Sequence, residues 1–278
     1  MTDSTASRKT ESWKVVASSV AGVSHLRSGL PCQDAHACRI MEDGLLVVAV
    51  ADGAGSAAKA DVGSQVAVEL AVAPIFADWK KGDRSKIRMG LRNASSDESG
   101  EAVRRLSVEA IVTVRVGLEE LARQDEIALR EYATTLILVV ATANWLSAVQ
   151  IGDGAVVGLD EAGSVFAFTT PPEAEYANAT TFVTSPDWQE EIQWSYREGS
   201  LAGLAVFSDG LQRLALKLPE GTPHPPFFAP LFRFASGLTV AGGEVDPAGT
   251  NQLTSFLQSP RITERADDDL TLVLAVRE

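Results

Sequence analysis

The sequence predicts an α+β domain in which antiparallel sheets are flanked by helices. Short apolar runs typical of buried strands, each followed by turn residues, occur in both halves of the chain. Two longer segments with helical periodicity lie between them. Because several strands follow one another without a helix between each pair, the pattern disfavours the regular alternation of a parallel sheet.

The amino-terminal part predicts a tail, a strand and a hairpin. Residues 1–12 are polar and are expected to be a disordered tail, after which residues 13–278 are expected to form a single domain. The first strand is predicted at residues 13–21, and a loop follows up to Asp34. The next two predicted strands, residues 35–40 and 45–51, are close enough to form a hairpin.

Two helices are predicted in the middle of the chain. Apolar residues recur at helical spacing at Val62, Val66, Leu70 and Ala73, and again from Val103 to Leu121. Pro74 is expected to kink or end the first helix. Residues 80–100 are rich in Gly, Ser and Asp and are expected to form a polar loop.

Strands return in the second half of the chain. They are predicted at residues 134–142, 145–150, 156–159 and 165–168, at a run that ends at Phe207, and at residues 270–276. Residues 169–187 contain three prolines and predict a connecting loop or flap, while residues 225–237 and 247–258 predict short helices. These elements complete the predicted layers of sheet and helix.

Acidic residues stand at the ends of four predicted strands. Asp52, Asp153 and Asp209 each follow an apolar run and precede a glycine, whereas residues 267–269 are three aspartates that precede the last strand. If the last strand is antiparallel to the others, its start lies at the same sheet edge as their ends. Such carboxylates repel one another unless a cation lies between them, and oxygen ligands suit Mg²⁺ or Mn²⁺ better than zinc.

Composition excludes several classes of protein. With 24 Lys and Arg against 37 Asp and Glu, the net charge of −13 opposes binding to nucleic acid. The longest apolar runs fall short of the roughly 20 residues of a membrane helix, and the polar first residues lack a signal-peptide core, so a cytoplasmic location is expected. Cys32 and Cys38 form neither a disulfide scaffold nor a recognisable zinc motif.

A dinucleotide-binding fold is the alternative that the glycine loop raises. Residues 53–58 match the G-x-G-x-x-A pattern after a strand and before a helix. A second parallel strand ending in an acidic residue should then follow the helix, but residues 73–76 lead into a polar segment and another helix. Asp52 would also repel the pyrophosphate, so this alternative is disfavoured.

Four separated motifs resemble those of the PPM/PP2C-type metal-dependent protein serine/threonine phosphatases, in a divergent, compact bacterial form. They are Gly29–Ala35, Val50–Ser56, Phe207–Gly210 and Asp268–Val273, with Ala133–Leu136 and Ile151–Gly154 in the expected order between them. The resemblance spans residues 13–276. It implies a β-sandwich of two antiparallel sheets with helices on its outer faces, a four-layer α-β-β-α architecture with the metal site at one end.

The resemblance also implies a set of metal ligands. Asp52 should bridge two Mg²⁺ or Mn²⁺ ions, with the Gly53 carbonyl, Asp209 and Asp268 on one ion, Asp34 on the other, and Asp153 helping to hold a third, weaker ion. The position of Thr271 favours Asp268 over Asp269 as the ligand. A hydroxide shared by two ions should then attack the phosphorus of phosphoserine or phosphothreonine. The alternative is a catalytically silent PPM-like module that binds phosphoproteins.

Three positions depart from the family pattern. Gln33 replaces a Glu found in some members, Ala54 replaces a His, and Gly29 lies where many members carry an Arg for the substrate phosphate. Arg27 or His25 is a candidate for that phosphate contact, and the alternative for His25 is a loop histidine that orders its own backbone.

The resemblance implies partners as well. A phosphoprotein substrate is expected, with a cognate Ser/Thr kinase or its targets as further candidates, and the chain is expected to be a monomer. Residues 80–100 and 169–187 are the candidate segments for partner contact.

Overall fold

Strands and helices follow the predicted order along most of the chain. The computed structural model describes residues 12–41, 43–88, 96–169, 180–239 and 245–277. The elements of the first half are β1 (Trp13–Val20), α1 (Val23–Ser28), β2 (Asp34–Ile40), β3 (Leu46–Asp52), α2 (Ala60–Trp79), α3 (Ser96–Gln124), β4 (Leu136–Ala141) and β5 (Trp145–Ile151). Those of the second half are β6 (Ala155–Leu159), β7 (Val165–Ala167), β8 (Gln193–Glu198), β9 (Gly203–Phe207), α4 (Gln212–Ala215), β10 (Leu216–Lys217), β11 (Thr222–Pro223), α5 (Pro225–Ser236), α6 (Pro247–Leu257), α7 (Pro260–Thr263) and β12 (Leu270–Arg277).

Two five-stranded sheets form the centre of the structure. The first has the order β1-β12-β9-β6-β7 and the second has the order β2-β3-β4-β5-β8, while β10 and β11 form a separate short ribbon. Neighbouring strands in both sheets are antiparallel. The predicted sandwich of two antiparallel sheets is thereby confirmed.

Alternating side chains of each strand divide the core into layers. In β3, Leu46, Val48 and Val50 pack between the sheets with Val15 and Val273 of the first sheet. The opposite face of β3 packs with α2 and α3, and the outer face of the first sheet packs with α5 and α6. Full burial of a valine or leucine side chain contributes about 1.5–3 kcal/mol to the free energy of folding. Because alternate side chains of a strand are buried on opposite faces of the sheet, this burial stabilises the four layers.

Helix α2 continues through Pro74, although the sequence predicted a kink or an end there. Ile75 and Trp79, which follow the proline, are buried in the core between the second sheet and α3. We infer that this burial offsets the cost of about 3 kcal/mol for a proline in a helix interior. Among the described residues α2 is also the helix that is long and apolar enough to cross a membrane, with a mean hydropathy of 1.3, but it packs within this core.

Other expectations are corrected by the structure. The loop predicted before Asp34 contains α1, which ends at Gly29, whose φ of 68° is the left-handed conformation that favours glycine. Helix α3 begins at Ser96, so the end of the predicted loop at residues 80–100 is helical, and residues 89–95 lie outside the described part of the chain. Strand β8 was not predicted, because its charged residues Arg197 and Glu198 mask the alternation of an edge strand.

Two predicted segments fall largely outside the described residues. The predicted tail is described only at Ser12. Residues 170–179 of the predicted flap are also outside, and residues 180–187 form turns and irregular backbone without a helix or strand.

Candidate active site

Five aspartates lie at one end of the sandwich. Asp34 begins β2 and Asp52 ends β3, and the two residues lie directly opposite each other across that strand pair. Asp209 follows β9 and Asp268 precedes β12, at the adjoining ends of two paired strands. Asp153 lies in the turn between β5 and β6, next to the same edge because Ala155 pairs with Phe207. The predicted rim of carboxylates is therefore present in the structure.

Three of these side chains form a tight cluster. One carboxylate oxygen from each of Asp52, Asp153 and Asp209 lies within 4.8 Å of the other two. Among the described residues none of these three carboxylates forms an ion pair with Lys or Arg. Their mutual repulsion therefore needs either protons or a cation to relieve it.

Burial shifts the affinity of the cluster for protons. It raises the pKa of Asp34 to about 8, although the hydrogen bond from Ser208 acts in the opposite direction. Burial, together with the charges of Asp34 and Asp209, holds the pKa of Asp52 well above its usual range. Burial followed by the charge of Asp153 raises the pKa of Asp209 to about 6. A divalent cation would replace these protons, since carboxylate ligands bind metal in the charged form.

Two buried oxygen atoms next to the cluster have no hydrogen-bond partner among the described residues. Asp34 Oδ1 and Gln33 Oε1 are both buried, and neither accepts a hydrogen bond within the described part of the chain. The other oxygen of Asp34 accepts a bond of 2.6 Å from Ser208 Oγ. A buried acceptor without a partner costs about 1–3 kcal/mol, and a cation would satisfy it. The donors are oxygen atoms, which fits Mg²⁺ or Mn²⁺.

The backbone after Asp52 lies close to neighbouring segments. A Cβ atom at Gly53 would lie 2.5 Å from the carbonyl oxygen of Ala60 and 2.8 Å from that of Gln33. The Gly53 amide donates to the Gln33 carbonyl at 3.0 Å, which joins the loop after β3 to the residue before β2. Only glycine fits here, so the Asp-Gly pair is required for this close approach.

Asp268 and Asp269 have different surroundings. Asp269 is 2% exposed. Its Oδ1 accepts bonds from the Gly22 amide at 2.7 Å and His25 Nδ1 at 2.8 Å, while its Oδ2 accepts from the Gln33 amide at 2.5 Å. Asp268 is exposed and its Oδ1 accepts a bond of 2.8 Å from the Asp269 amide. Asp269 therefore ties the α1 segment and the start of β2 to β12, whereas Asp268 takes no part in these bonds.

The two candidates for phosphate contact both lie on α1. His25 is partly buried, and the bond between its Nδ1 and Asp269 anchors α1 to the start of β12. Arg27 is exposed on the same helix. The structure thus places both side chains on the segment that Asp269 holds beside the carboxylate rim.

Sequence reasoning missed the residues that position the carboxylates. Ser208 donates to Asp34, and its oxygen accepts a bond of 3.0 Å from the Thr271 amide, so it joins the two sheets at the site. Thr180 Oγ1 donates to Asp153 Oδ2 at 3.0 Å. The available signal was position, because Ser208 directly precedes Asp209, but the partner of its hydroxyl depends on how the two sheets pack.

The sandwich and its rim of carboxylates define a class of protein. The chain belongs to the protein phosphatase 2C family, whose family model matches residues 21–258.

Individual relatives agree with this assignment. The chain is 35% identical over 269 residues to serine/threonine-protein phosphatase 3 of Escherichia coli (strain K12), an alignment that covers 95% of this chain and 98% of that protein. Its fold is similar to that of PppA, described as a key regulatory component of T6SS in Pseudomonas aeruginosa, with a TM-score of 0.55, 19% identity and coverage of 96% and 98% of the two chains. It is also similar to the serine/threonine phosphatase Stp1 from Staphylococcus aureus, with a TM-score of 0.54, 14% identity and coverage of 95% of both chains.

Proposed function

We propose that this protein hydrolyses phosphoserine and phosphothreonine esters in proteins and that it requires Mg²⁺ or Mn²⁺. The carboxylate cluster carries the proposal, since three oxygens within 4.8 Å of one another have no cationic side chain between them among the described residues. The identity of 35% with a serine/threonine phosphatase supports catalysis over a silent phosphoprotein-binding module. A silent module would have no need for mutually repelling carboxylates.

The proposed ligands are those that the family resemblance implies, and the position of these residues at one end of the sandwich supports them. Asp34, Asp52, Asp209, Asp268 and the Gly53 carbonyl would hold two divalent ions, and Asp153 would help to hold a third, weaker ion. Asp34 Oδ1, which is buried without a partner, supports its assignment. Divalent ions in such a site lower the pKa of water and offset negative charge on the phosphoryl oxygens.

The remaining residues position the site and the substrate. Ser208 holds Asp34 in place through its bond to Oδ2. Asp269 holds α1, on which His25 and Arg27 are the proposed contacts for the substrate phosphate. A phosphate ester would enter with its negative charge next to these two side chains and away from the buried core.

We further propose a setting for this activity. Residues 13–278 form one phosphatase domain that acts as a monomer in the cytoplasm. Its substrates are phosphoproteins. They are a cognate Ser/Thr kinase itself or the proteins that this kinase phosphorylates, because a kinase reaction forms the ester that this enzyme removes.

Activity with defined metals tests the proposal. We expect hydrolysis of p-nitrophenyl phosphate and of a phosphothreonine peptide with Mn²⁺, loss of both activities in EDTA, and recovery when Mn²⁺ is returned. Full activity in EDTA would contradict the metal requirement. Binding of Mn²⁺ in calorimetry without any hydrolysis would favour the silent binding module.

Replacing Ser208 by Ala should weaken metal binding. Because the Ser208 hydroxyl lowers the pKa of Asp34, its removal raises that pKa further and increases competition from protons. We expect the affinity for Mn²⁺ at pH 7 to fall by about tenfold, which is typical for loss of a group that orients a metal ligand. Protons compete below the pKa of Asp34, which is about 8, so the difference from the wild type should narrow as the pH rises above that value.

A matched serine provides the control for this variant. Ser18 is also buried and its hydroxyl bonds to Thr254 Oγ1 at 2.8 Å, on the helix-covered face of the first sheet. Ser18→Ala should leave the affinity for Mn²⁺ unchanged. Equal losses in both variants, measured by titration calorimetry between pH 6 and 9, would assign the effect to general destabilisation.

A further inference from the structure

A pocket of about 490 Å³ lies beside the carboxylate cluster, and we call it the lateral pocket. Its lining includes Ala54, Arg130, Glu131, Phe182 and Pro186. Pockets that bind small ligands have volumes of about 300–1,000 Å³, so the lateral pocket has room for more than one side chain. None of these residues belongs to the proposed metal site.

Two walls of the lateral pocket start next to the carboxylate cluster. Ala54 follows Asp52 by two residues, so their Cα atoms are at most about 7.6 Å apart. On the other wall, Thr180 bonds to Asp153 Oδ2 at 3.0 Å, and Phe182 follows by two residues. A peptide with its phosphorylated side chain at the cluster would therefore have its neighbouring residues beside this pocket.

The walls are held by hydrogen bonds and packing. The Ala54 amide donates to the Ala133 carbonyl at 2.9 Å. Arg115 Nη1 donates to the carbonyls of Val183 and Ser185, both at 2.9 Å, which fixes the segment that carries Phe182. Phe182 itself packs on a small apolar cluster that includes Ala133. The pocket is therefore formed before any substrate binds.

Arg130 lies at the rim of the lateral pocket, and its ion-pair partner Glu131 also accepts a hydrogen bond from the backbone. Arg130 is 84% exposed and its Nε donates to Glu131 Oε1 at 3.2 Å. The other oxygen of Glu131 accepts a bond of 3.1 Å from the Ala58 amide just before α2, and this bond is the main cause that lowers the pKa of Glu131. Because the start of a helix carries partial positive charge, it offsets part of the charge of Glu131. Within the described part of the chain the Nη groups of Arg130 form no hydrogen bond, so they can bind an anion.

We propose that the lateral pocket binds the residues that flank the phosphorylated residue of a substrate, with an acidic side chain paired to Arg130 and an apolar side chain against Phe182 and Pro186. This inference rests on the proposed function. The charge of Arg130 complements an acidic peptide on a protein whose net charge of −13 otherwise repels it. Continuity with the cluster through Ala54 and Thr180 places the pocket beside the phosphate.

Matched phosphopeptides and a charge reversal test the proposal. Each peptide carries one phosphothreonine. Its flanking residues are a leucine and a Glu, a leucine and a Lys, or glycines only. Each flanking sequence is tested on the amino-terminal side and on the carboxyl-terminal side of the phosphothreonine. We expect the wild type to favour the Glu peptide over the Lys peptide by about threefold to tenfold in kcat/KM at low salt, through KM, because an exposed ion pair contributes little and binds ground state and transition state alike. Arg130→Glu should reverse this order. Phe182→Ala should lower kcat/KM for both leucine peptides relative to the glycine peptide, because the apolar contact with Phe182 is lost.

A charge reversal far from the pocket distinguishes an effect of the pocket from an effect of the protein's net charge. Lys86 forms an ion pair of 3.1 Å with Glu109 of α3. It follows the carboxyl end of α2, whereas the pocket adjoins the amino end of that helix, which is about 30 Å long. Lys86→Glu makes the same charge change and should keep the wild-type order of peptides. Hydrolysis of p-nitrophenyl phosphate, which has no flanking residues, should be the same in all three variants.

Two outcomes distinguish this proposal from the proposed function. An unchanged order of peptides in Arg130→Glu, with normal hydrolysis of p-nitrophenyl phosphate, would overturn the role of the lateral pocket and leave the phosphatase activity standing. Absence of hydrolysis of every substrate would overturn the proposed function instead. In that case fluorescence anisotropy with the same peptides, labelled, still decides whether Arg130 selects acidic flanks.

Discussion

Replacing Asp52 by Asn should lower kcat for p-nitrophenyl phosphate by about 10²–10³-fold or more, a loss typical of removing one electrostatic group from an active site. Asp52 is opposite Asp34 in the β2–β3 pair and belongs to the cluster with Asp153 and Asp209. It therefore adjoins both Asp34 and the cluster. An amide of nearly the same shape removes the charge and leaves the strand intact, so the loss would belong to metal binding and catalysis.

A surface aspartate provides the control for Asp52→Asn. Asp160 Oδ1 accepts a bond of 2.8 Å from the Ser164 amide in the turn between β6 and β7, and an asparagine oxygen can accept the same bond. Asp160→Asn should therefore retain wild-type activity. Wild-type kcat in Asp52→Asn with Mn²⁺ at saturation would show that Asp52 is not a ligand, and the proposed two-ion site would be wrong.

Replacing Asp269 by Ala should destabilise the protein by about 3–5 kcal/mol, the usual cost of removing one partner of a buried hydrogen-bonded charge. The substitution leaves the amides of Gly22 and Gln33 and the ring of His25 without their acceptor. In a domain of this size the midpoint of thermal unfolding should fall by about 5–10 °C. Scanning calorimetry of the metal-free protein in EDTA measures this change without a contribution from bound ions.

Replacing the neighbouring Asp268 should have little effect on stability and a large effect on activity. Asp268 is exposed, so Asp268→Ala should change the unfolding free energy of the metal-free protein by less than about 1 kcal/mol while activity is lost. Asp269→Asn, which keeps an acceptor oxygen, should have a smaller effect than Asp269→Ala. If Asp268→Ala kept full activity and Asp269→Asn abolished Mn²⁺ binding without unfolding, the assignment of the two residues would be reversed.

Residue order alone was enough to predict antiparallel sheets flanked by helices and a rim of carboxylates, while the family resemblance implied the sandwich of two sheets. Apolar runs that end in Asp52, Asp153 and Asp209, and one that begins after Asp269, place acidic residues at strand ends. Antiparallel pairing then places the end of β9 and the start of β12 at one edge of the first sheet, and the start of β2 and the end of β3 at one edge of the second sheet. The packing of the two sheets brings these two edges together. These predictions depend on local pattern and on the direction of strands, both of which are encoded over short stretches of chain.

Elements with weak local signals could not be predicted in this way. Helix α1 has only six residues and lies where Gly22 and Gly29 suggest a loop, and its start is held by the distant Asp269. Strand β8 pairs with β5 across more than forty residues of chain, and its polar residues mask its alternation. Such elements depend on tertiary contacts that offset their low intrinsic preference.

The sequence by itself therefore determined the layered fold and which aspartates stand at strand ends, because periodicity and turn residues act locally, and its motifs carried the resemblance to the family. Only the tertiary structure decided that Asp269 accepts three bonds while Asp268 stays exposed, that Ser208 holds Asp34, and that Arg130 and Phe182 form one pocket beside the cluster. The physical reason is that each of these arrangements joins residues far apart in the chain. Their hydrogen bonds and burial exist only after the two sheets and the helices have packed together.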